Sequence, residues 1–430
     1  MKKIKDLKSN VLKRNFSLAK MAYKVGRDYI SEKKDDVLEK GASALSKHSE
    51  LIYSELAMMK GSALKAGQML SVYGDYFLPK EVNDVFKKLQ TQTHYLDFEN
   101  ISQNIPNHFF DQLKIEHGPF AAASIGQVHV AYTKDQEKMA LKIQYPNIKK
   151  AINSDMLALK LLLKGIKALP KKFDLDPFLD EVKKMMIHEM DYQKEKQSHD
   201  FFIQCLEGDE RYYIPKVYDD FCSDTTMATE FIDGVKVDSD VVASLAQDVR
   251  NELATSFFEL YLREFFEFKK VQSDPHYGNY LLRHIQGRWQ WVLLDFGSVK
   301  DVSDSIGECY QDMMRACIVG DRELYFEVVE RMNYFRAGMS DKDKDLLWDN
   351  ARLLGDPFKG EIYDWGATRL ADDLLKNGMQ MFGKVDIASP PQDIVFLDRK
   401  IGGVFMILKI LGAKIDLRNL ALRYLESKNS

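Results

Sequence analysis

Two aspartates and an asparagine in the second half of the sequence have types and spacing that suit metal binding and phosphate chemistry. Asp274 and Asn279 are five positions apart, and Asp295 follows Asp274 by 21 positions. A carboxylate can face an attacking oxygen, and carboxylate and amide oxygens are good ligands for Mg²⁺. We therefore predict that Asp274 is catalytic and that Asn279 and Asp295 bind Mg²⁺, with Asp295 as the principal ligand.

A run of small residues and a lysine upstream supply the other groups that phosphoryl transfer from ATP requires. The run comprises Ala121, Ala122, Ala123, Ser124 and Gly126. Lys142 follows Gly126 by 16 positions, a distance that lets one strand leave the loop and its partner return with the lysine. The sequence therefore predicts ATP as a ligand, with the loop over the phosphates and Lys142 in contact with them.

Strand and helix patterns predict how these residues are positioned. Apolar residues alternate or cluster over 128–133 and 139–146, with a polar connection between them, which predicts an antiparallel hairpin that carries Lys142. Helical spacing predicts helices over 152–202 and 241–268, and two further strands are predicted from 214 to 231. A second hairpin spans 279–296, with its turn at 285–288, and helices follow residue 304.

The N-terminal region has a different pattern. Residues 1–30 read as a basic amphipathic helix, and residues 42–73 as a second helical stretch. Such a basic helix more commonly packs on the protein's own core, but it can also lie on an anionic membrane surface. A peripheral membrane contact is therefore left open.

Composition excludes several classes of function. The 430 residues carry 61 Lys and Arg against 65 Asp and Glu, a formal charge of -4, which gives no global basic field for nucleic acid. No apolar segment approaches the roughly 20 residues that cross a bilayer, and the four cysteines indicate free buried thiols. A secretory signal pattern is absent from the first residues, so we expect a cytoplasmic protein.

The order and spacing of these motifs resemble the UbiB/AarF atypical kinase-like family, which is tied to coenzyme Q biosynthesis. Its marks are the KxGQ motif, here residues 65–68, and an alanine-rich loop, here residues 121–129. The resemblance covers roughly residues 40–330, with a further stretch near the C-terminus. It implies an α+β, two-lobed protein-kinase-like fold: an N-terminal helical extension at 1–110, an N-lobe at 111–235 and a mostly helical C-lobe at 236–430.

The resemblance also implies roles for further residues. Lys65 and Gln68 of KxGQ, with the Glu189 and Asp191 of an ExD pair, would fold over the place where a protein substrate enters. Glu195 would be the helix glutamate that pairs with Lys142. By the register of the superfamily, the adenine would bind backbone groups of the hinge at about Glu230 to Ile232. One departure is Gln272, which stands where most kinases have histidine; glutamine here looks like the eukaryotic coenzyme Q branch.

The function that these features imply is slow, Mg-dependent ATP hydrolysis that supports ubiquinone or related membrane-lipid metabolism, with proteins of ubiquinone biosynthesis as expected partners. A non-catalytic pseudokinase, acting as a scaffold or lipid chaperone, is the alternative; the presence of Asp274 and Asp295 argues against it. An orthodox protein kinase is disfavoured by the KxGQ motif and the alanine-rich loop.

Overall fold

A computed structural model describes residues 2–4, 94–123, 125–165, 175–332, 340–381 and 392–426 of the chain. Lys65, Gln68, Ser124 and the helix predicted over 42–73 lie outside the described residues. In chain order the strands are β1 Lys2–Ile4, β2 His94–Leu96, β3 Leu113–Ala122, β4 Gly126–Thr133, β5 Lys138–Gln144, β6 Tyr212–Tyr213, β7 Thr226–Glu230, β8 Val235–Lys236, β9 Lys270–Gln272, β10 Tyr280–Ile285, β11 Arg288–Leu293, β12 Val299–Asp301, β13 Tyr363–Asp364 and β14 Lys414–Ile415.

The helices complete an α+β composition, as predicted. In chain order they are α1 Phe98–Ile101, α2 Ile148–Gly165, α3 Leu175–Glu189, α4 Tyr192–Cys205, α5 Asp240–Ala243, α6 Gln247–Phe266, α7 Asp304–Val319, α8 Arg322–Arg331, α9 Asp341–Gly355, α10 Leu370–Met381, α11 Gln392–Ile410 and α12 Arg418–Glu426. The described residues divide into two compact units. The first contains the chain up to Lys196 with Lys216–Phe231, and the second contains Gln197–Pro215 with the chain from Ile232 onward.

The first unit is built around an antiparallel sheet with the strand order β3-β4-β5-β7. The predicted hairpin is confirmed: β4 pairs with β5 from Gly126↔Gln144 to Tyr132↔Lys138. On β5, Met139, Leu141 and Ile143 are buried, so the period-2 alternation of a strand places Lys142 on the opposite face from these apolar side chains.

Three sequence predictions differ from the structure in this unit. Residues 2–4 form a strand rather than the start of a helix, paired in parallel with β2. The strand predicted from residue 214 is reduced to a single bridge between Val217 and Thr229, because Pro215 lacks an N–H and the aspartates at 219 and 220 favour a turn. The helix predicted over 152–202 is broken between Glu189 and Tyr192, where α3 ends and α4 begins.

The second unit is organised around α6, which is buried on successive positions rather than along one stripe. Phe257, Phe258, Leu260, Tyr261, Leu262 and Phe265 are each at most 1% exposed. A helix that is apolar all round belongs in a core, which confirms the prediction for the aromatic run at 257–268. The helix predicted from 241 is interrupted after Ala243 and resumes at Gln247.

A four-stranded sheet of order β6-β11-β10-β8 packs with α6 in this unit. The predicted hairpin is confirmed, since β10 and β11 pair from Tyr280↔Leu293 to Ile285↔Arg288. Its turn consists of Gln286 and Gly287, whose φ angles are 49° and 80°, as a two-residue turn between right-twisted strands requires. Strands β9 and β12 form a separate antiparallel pair. None of the described helices is both long and apolar enough to cross a membrane.

Candidate active site

The predicted catalytic loop follows β9 and ends where β10 begins. The Asn279 side chain donates from Nδ2 to the carbonyl oxygen of Asp274 over 2.9 Å, and the Asn279 N–H donates to His276 O at 2.9 Å. Because the amide nitrogen is bonded to the loop itself, the amide oxygen of Asn279 is the atom suited to a cation. Asp274 and Asn279 are half-buried.

Gln272 holds this loop to the segment that contains Asp295. Its Nε2 donates to Asp274 O at 2.9 Å and lies 3.4 Å from Asp295 O. Its Oε1 accepts from the hydroxyl of buried Tyr280 at 3.2 Å. Gln272 is itself 3% exposed, and burial together with nearby carboxylates raises the pKa of Tyr280, so that hydroxyl stays a proton donor. Gln272, which stands where most kinases have histidine, therefore supports the geometry of the catalytic loop.

Asp295 lies in a short segment fixed at both ends. Its Oδ1 accepts from the Gly297 N–H at 2.9 Å, and the Leu294 N–H donates to Asn279 O at 3.0 Å. Phe296 is 2% exposed, and its ring centroid lies 4.8 Å from that of Phe202 and 5.0 Å from that of His199. Packing of Phe296 thus anchors the backbone that presents the Asp295 carboxylate.

In the first unit, Lys142 and Glu195 form the ion pair that the family resemblance predicts. Lys142 Nζ lies 2.8 and 2.9 Å from the two carboxylate oxygens of Glu195. The Glu195 side chain is 3% exposed and that of Lys142 is 16% exposed. The pair places a lysine ammonium on one face of the sheet, where a buried carboxylate sets its direction, as a phosphate-contacting lysine requires.

The alanine-rich loop connects β3 to β4. Ala121 and Ala122 close β3, and the Ala123 N–H donates to Gly126 O at 2.9 Å across the turn. A Cβ on Gly126 would lie 2.3 Å from the carbonyl oxygen of Ile143, so glycine is required here for the approach of β4 to β5. Contact of this loop with phosphates stays a prediction.

Two polar residues at the end of the alanine-rich segment, on β4, have a role that the sequence pattern did not predict. Gln127 and His129 are both fully buried. The Gln127 amide accepts from the Leu96 N–H at 3.0 Å and donates to Leu96 O at 3.1 Å. It also donates to Nε2 of His129 at 2.9 Å, and Nδ1 of His129 lies 2.8 Å from Glu116 O.

This arrangement determines the protonation state of the histidine. The Gln127 Nε2 is a donor, so His129 Nε2 must accept, and His129 Nδ1 therefore carries the proton that bonds Glu116 O. Burial lowers the pKa of His129 below its ordinary value of 6.5. These side chains hold β2 and the middle of β3. The only sign of this role in the sequence is that Gln127 and His129 are polar residues at alternate positions where a predicted strand begins.

Glu189 and Asp191 lie where α3 ends and α4 begins, and both are half-buried. The Asp191 carboxylate accepts from the Lys194 N–H at 3.2 Å, and Asp191 O accepts from the Glu195 N–H at 3.0 Å. Asp191 thus caps the helix that carries Glu195. Since Lys65 and Gln68 lie outside the described residues, the proposed cover formed by the KxGQ and ExD motifs stays a prediction.

The predicted hinge follows β7. The Glu230 N–H donates to Lys216 O at 2.8 Å, and the Phe231 N–H donates to Lys138 O at 3.2 Å. Ile232 is half-buried, and the second unit resumes at this residue. Adenine binding at Glu230 and Ile232 stays a prediction.

The structure thus brings the predicted residues into two groups, one in each unit: Lys142 with Glu195, and Asp274 with Asn279 and Asp295. Across the described ranges, no three His, Cys, Asp or Glu side chains are arranged to hold a metal ion by themselves. Mg²⁺ commonly takes one or two carboxylates and completes its coordination with waters and substrate phosphates. The oxygen donors of the second group fit a cation that binds together with a nucleotide.

Comparison with known proteins identifies the family. Residues 83–329, more than half of the chain, match the model of the ABC1 atypical kinase-like domain. The chain is similar to "Atypical kinase COQ8B, mitochondrial" of Danio rerio, 29% identical over 87% of this chain and 60% of that protein. It is also similar to "Atypical kinase COQ8, mitochondrial" of Saccharomyces cerevisiae, 27% identical over 85% of this chain and 73% of that protein.

A solved structure supports the same fold. The structure of Rv3197 from Mycobacterium tuberculosis, in complex with erythromycin, matches with a TM-score of 0.59 at 23% identity, over 89% of this chain and 97% of that one. This likeness concerns the fold alone. Together with the family match it confirms the predicted kinase-like α+β fold.

Proposed function

This chain belongs to the ABC1 atypical kinase-like domain family, and from that premise we propose that it binds Mg-ATP and hydrolyses it slowly. The observation that carries the proposal is the local structure around Gln272, which ties Asp274, Asn279 and the backbone of Asp295 together. A relic of a catalytic loop has no need for a fixed backbone at the two aspartates. The retained order favours catalysis over a scaffold that merely keeps the fold.

Each residue then has a defined task. Lys142, directed by Glu195, contacts the phosphates, and the backbone of the alanine-rich loop lies over them. Asp274 accepts the proton of the attacking water or small acceptor, while the oxygens of Asn279 and Asp295 hold Mg²⁺. When bound, Mg²⁺ neutralises charge that develops on the phosphate oxygens. Backbone groups of Glu230 and Ile232 bind the adenine.

A thermal-shift titration with ATP tests nucleotide binding. At about a hundredfold excess over the dissociation constant, binding adds roughly 2.7 kcal/mol of stability. We expect a shift for the wild type that requires Mg²⁺ and that is lost in Asp295→Asn. An equal shift with and without Mg²⁺ would contradict the assignment of Asp295 as a metal ligand.

Turnover is tested separately with Asp274→Asn, which keeps the size of the side chain and the backbone carbonyl that Asn279 and Gln272 contact. We expect retained ATP binding and at least a hundredfold loss of phosphate release, because general-base catalysis contributes about 10²–10⁴-fold. Unchanged phosphate release would favour the non-catalytic scaffold or lipid chaperone.

We further propose that the chain supports ubiquinone or related membrane-lipid metabolism. The support is the family resemblance and the names of the relatives. This chain spans only 60% of the length of the Danio rerio relative. Quinone content should fall in cells that lack this protein and recover with the wild type but not with Asp274→Asn. Recovery with both would indicate a scaffold, and no fall would remove the lipid proposal.

The location and the membrane contact are proposals as well. The composition favours the cytoplasm, whereas the relatives in Danio rerio and Saccharomyces cerevisiae carry the word mitochondrial in their names. Flotation with anionic vesicles, on the full chain and on a variant without residues 1–30, measures whether the basic N-terminal segment binds membrane. Equal binding by the two proteins would rule out that role for the segment.

A further inference from the structure

A buried ion pair joins α6 to α11 behind the catalytic loop. Lys400 Nζ lies 2.8 Å from Glu264 Oε2, and the two side chains are 2% and 3% exposed. Burial raises the pKa of Glu264 above its ordinary value, and Lys400 offsets only part of that rise. The desolvation of two buried charges offsets most of their attraction, so such a pair is weak evidence for stability. Its other hydrogen bonds are the better guide to its role.

The same carboxylate oxygen contacts the backbone of the catalytic loop. Glu264 Oε2 accepts from the Gln272 N–H at 3.3 Å. The next N–H, that of Ser273, donates to Ser298 O at 2.7 Å across the β9–β12 pair. Because alternate N–H groups of a strand point in opposite directions, the Gln272 N–H faces away from β12, and Glu264 is its acceptor.

A continuous chain of polar contacts therefore runs from α11 to the backbone carbonyls of Asp274 and Asp295. Lys400 orients Glu264, Glu264 holds the backbone of Gln272, and the Gln272 amide bonds the carbonyl oxygen of Asp274 and lies within reach of that of Asp295. The links from Lys400 to Glu264 and from Glu264 to the Gln272 N–H are buried, and those of the Gln272 amide are partly buried, so displacement of one member leaves the next without the partner that fixes its position.

A second contact reinforces the first. One turn after Lys400, Gly403 faces Pro275, the residue that follows Asp274; a Cβ on Gly403 would lie 2.2 Å from Pro275 Cβ and Cγ. The helix backbone thus packs directly on the loop. Gly402, its neighbour, would accept a Cβ with nothing within 4 Å.

We propose that Lys400 and Glu264 are positioning residues for the catalytic loop, acting through the Gln272 N–H rather than through contact with substrate. For turnover the proposal rests on the proposed ATPase activity. For loop order it stands on the geometry alone, and hydrogen exchange measures that order without any nucleotide.

Two charge-free double variants separate positioning from stability. Glu264→Gln with Lys400→Met keeps an amide oxygen that can accept from the Gln272 N–H. Glu264→Met with Lys400→Met removes both the charges and the acceptor. Neither leaves a lone buried charge, so both are expected to fold. Lys409→Met is the control: it lies on the same helix, but its ammonium bonds Thr368 O.

We expect amide exchange in the segments 270–280 and 294–298 to be about tenfold faster in Glu264→Met/Lys400→Met than in the wild type, because a buried donor has lost its acceptor. Exchange in Glu264→Gln/Lys400→Met should stay within about threefold of the wild type. Lys409→Met should leave both segments unchanged. In turnover, the Met/Met variant should lose about tenfold or more in kcat with KM for ATP little changed, since misplacement of the loop affects the reacting geometry.

Equal exchange in the two double variants would overturn the proposal, as would faster exchange spread evenly over the whole second unit. Absence of ATP turnover in the wild type would refute the proposed activity but would leave the hydrogen-exchange test unaffected. Exchange in segments 270–280 and 294–298 as slow in the Met/Met variant as in the wild type would refute positioning even if the wild type is an active ATPase.

Discussion

Replacement of Gly403 by alanine tests whether α11 fixes the catalytic loop. The new Cβ would lie 2.2 Å from two ring carbons of Pro275 and 3.1 Å from the Pro275 carbonyl oxygen, whereas carbon atoms in contact prefer about 3.5–4.0 Å. The loop or the helix must therefore move by more than about 1 Å. The matched control is Gly402→Ala, which is helical, exposed and without a neighbour within 4 Å.

The comparison of the two variants isolates the steric cost. Both exchange glycine for alanine inside a helix, which is worth about 0.5–1 kcal/mol in favour of alanine. Overpacking against a rigid wall costs about 1–3 kcal/mol. Gly403→Ala should thus be about 2 kcal/mol less stable than Gly402→Ala, which corresponds to roughly 4–8 °C in Tm at about 2–4 °C per kcal/mol for a unit of this size.

Thermal unfolding and ATP turnover measure the two consequences together. Because a 1 Å misplacement of catalytic groups can cost about a hundredfold in rate, we expect Gly403→Ala to lose about that factor in kcat, and Gly402→Ala to retain the wild-type rate. Equal Tm values for the two variants would refute the argument that Pro275 packs rigidly on the helix. A lower Tm for Gly403→Ala with full activity would refute the link from that contact to Asp274.

Two further predictions concern the first unit. Lys142→Met should destabilise the protein by about 3 kcal/mol and abolish ATP turnover, because it leaves the buried Glu195 carboxylate without its lysine. Lys138→Met, four positions earlier on the same face of β5, should affect neither denaturant unfolding nor phosphate release by a comparable amount. Since the pKa of His129 is lowered in the folded protein, the unfolded chain takes up the proton first, so stability should fall as the pH drops below about 6.5. His129→Gln should flatten this pH dependence in unfolding midpoints measured from pH 7.5 to 5. His108→Gln, at an exposed position, should leave the pH dependence intact. An unchanged pH dependence in His129→Gln would contradict the neutral, acceptor state of His129.

Local patterns predicted much of the positioning framework. The two hairpins at 126–144 and 280–293 follow from period-2 alternation and turn residues, and the aromatic run of α6 identified a core helix. The division between α3 and α4 was missed because apolar spacing continues through Met190, and only the Asp191 cap marks the new helix. A capping side chain is a weak signal inside a long periodic stretch.

The supporting residues of the catalytic loop could not be predicted in this way. Glu264 and Lys400 are 136 positions apart, and charged residues on predicted helices ordinarily lie on solvated faces. Their burial results from tertiary packing that no local window contains. The same holds for Gly126. In the sequence its lack of a side chain predicts a phosphate-binding loop, whereas in the structure it is required because β4 approaches the Ile143 carbonyl.

The long separation of Glu264 and Lys400 has a consequence for synthesis of the chain on the ribosome. Translation proceeds at about 5–20 residues per second, so Lys400 is made roughly 6–25 s after Asp274. During that interval Gln272 and Pro275 have emerged or are emerging without the helix on which they pack. The predicted nucleotide site is therefore completed late, and nascent chains that carry every predicted catalytic motif should not yet show the proposed ATP turnover. A product cut short before α11 would bear those motifs without the contacts that position them.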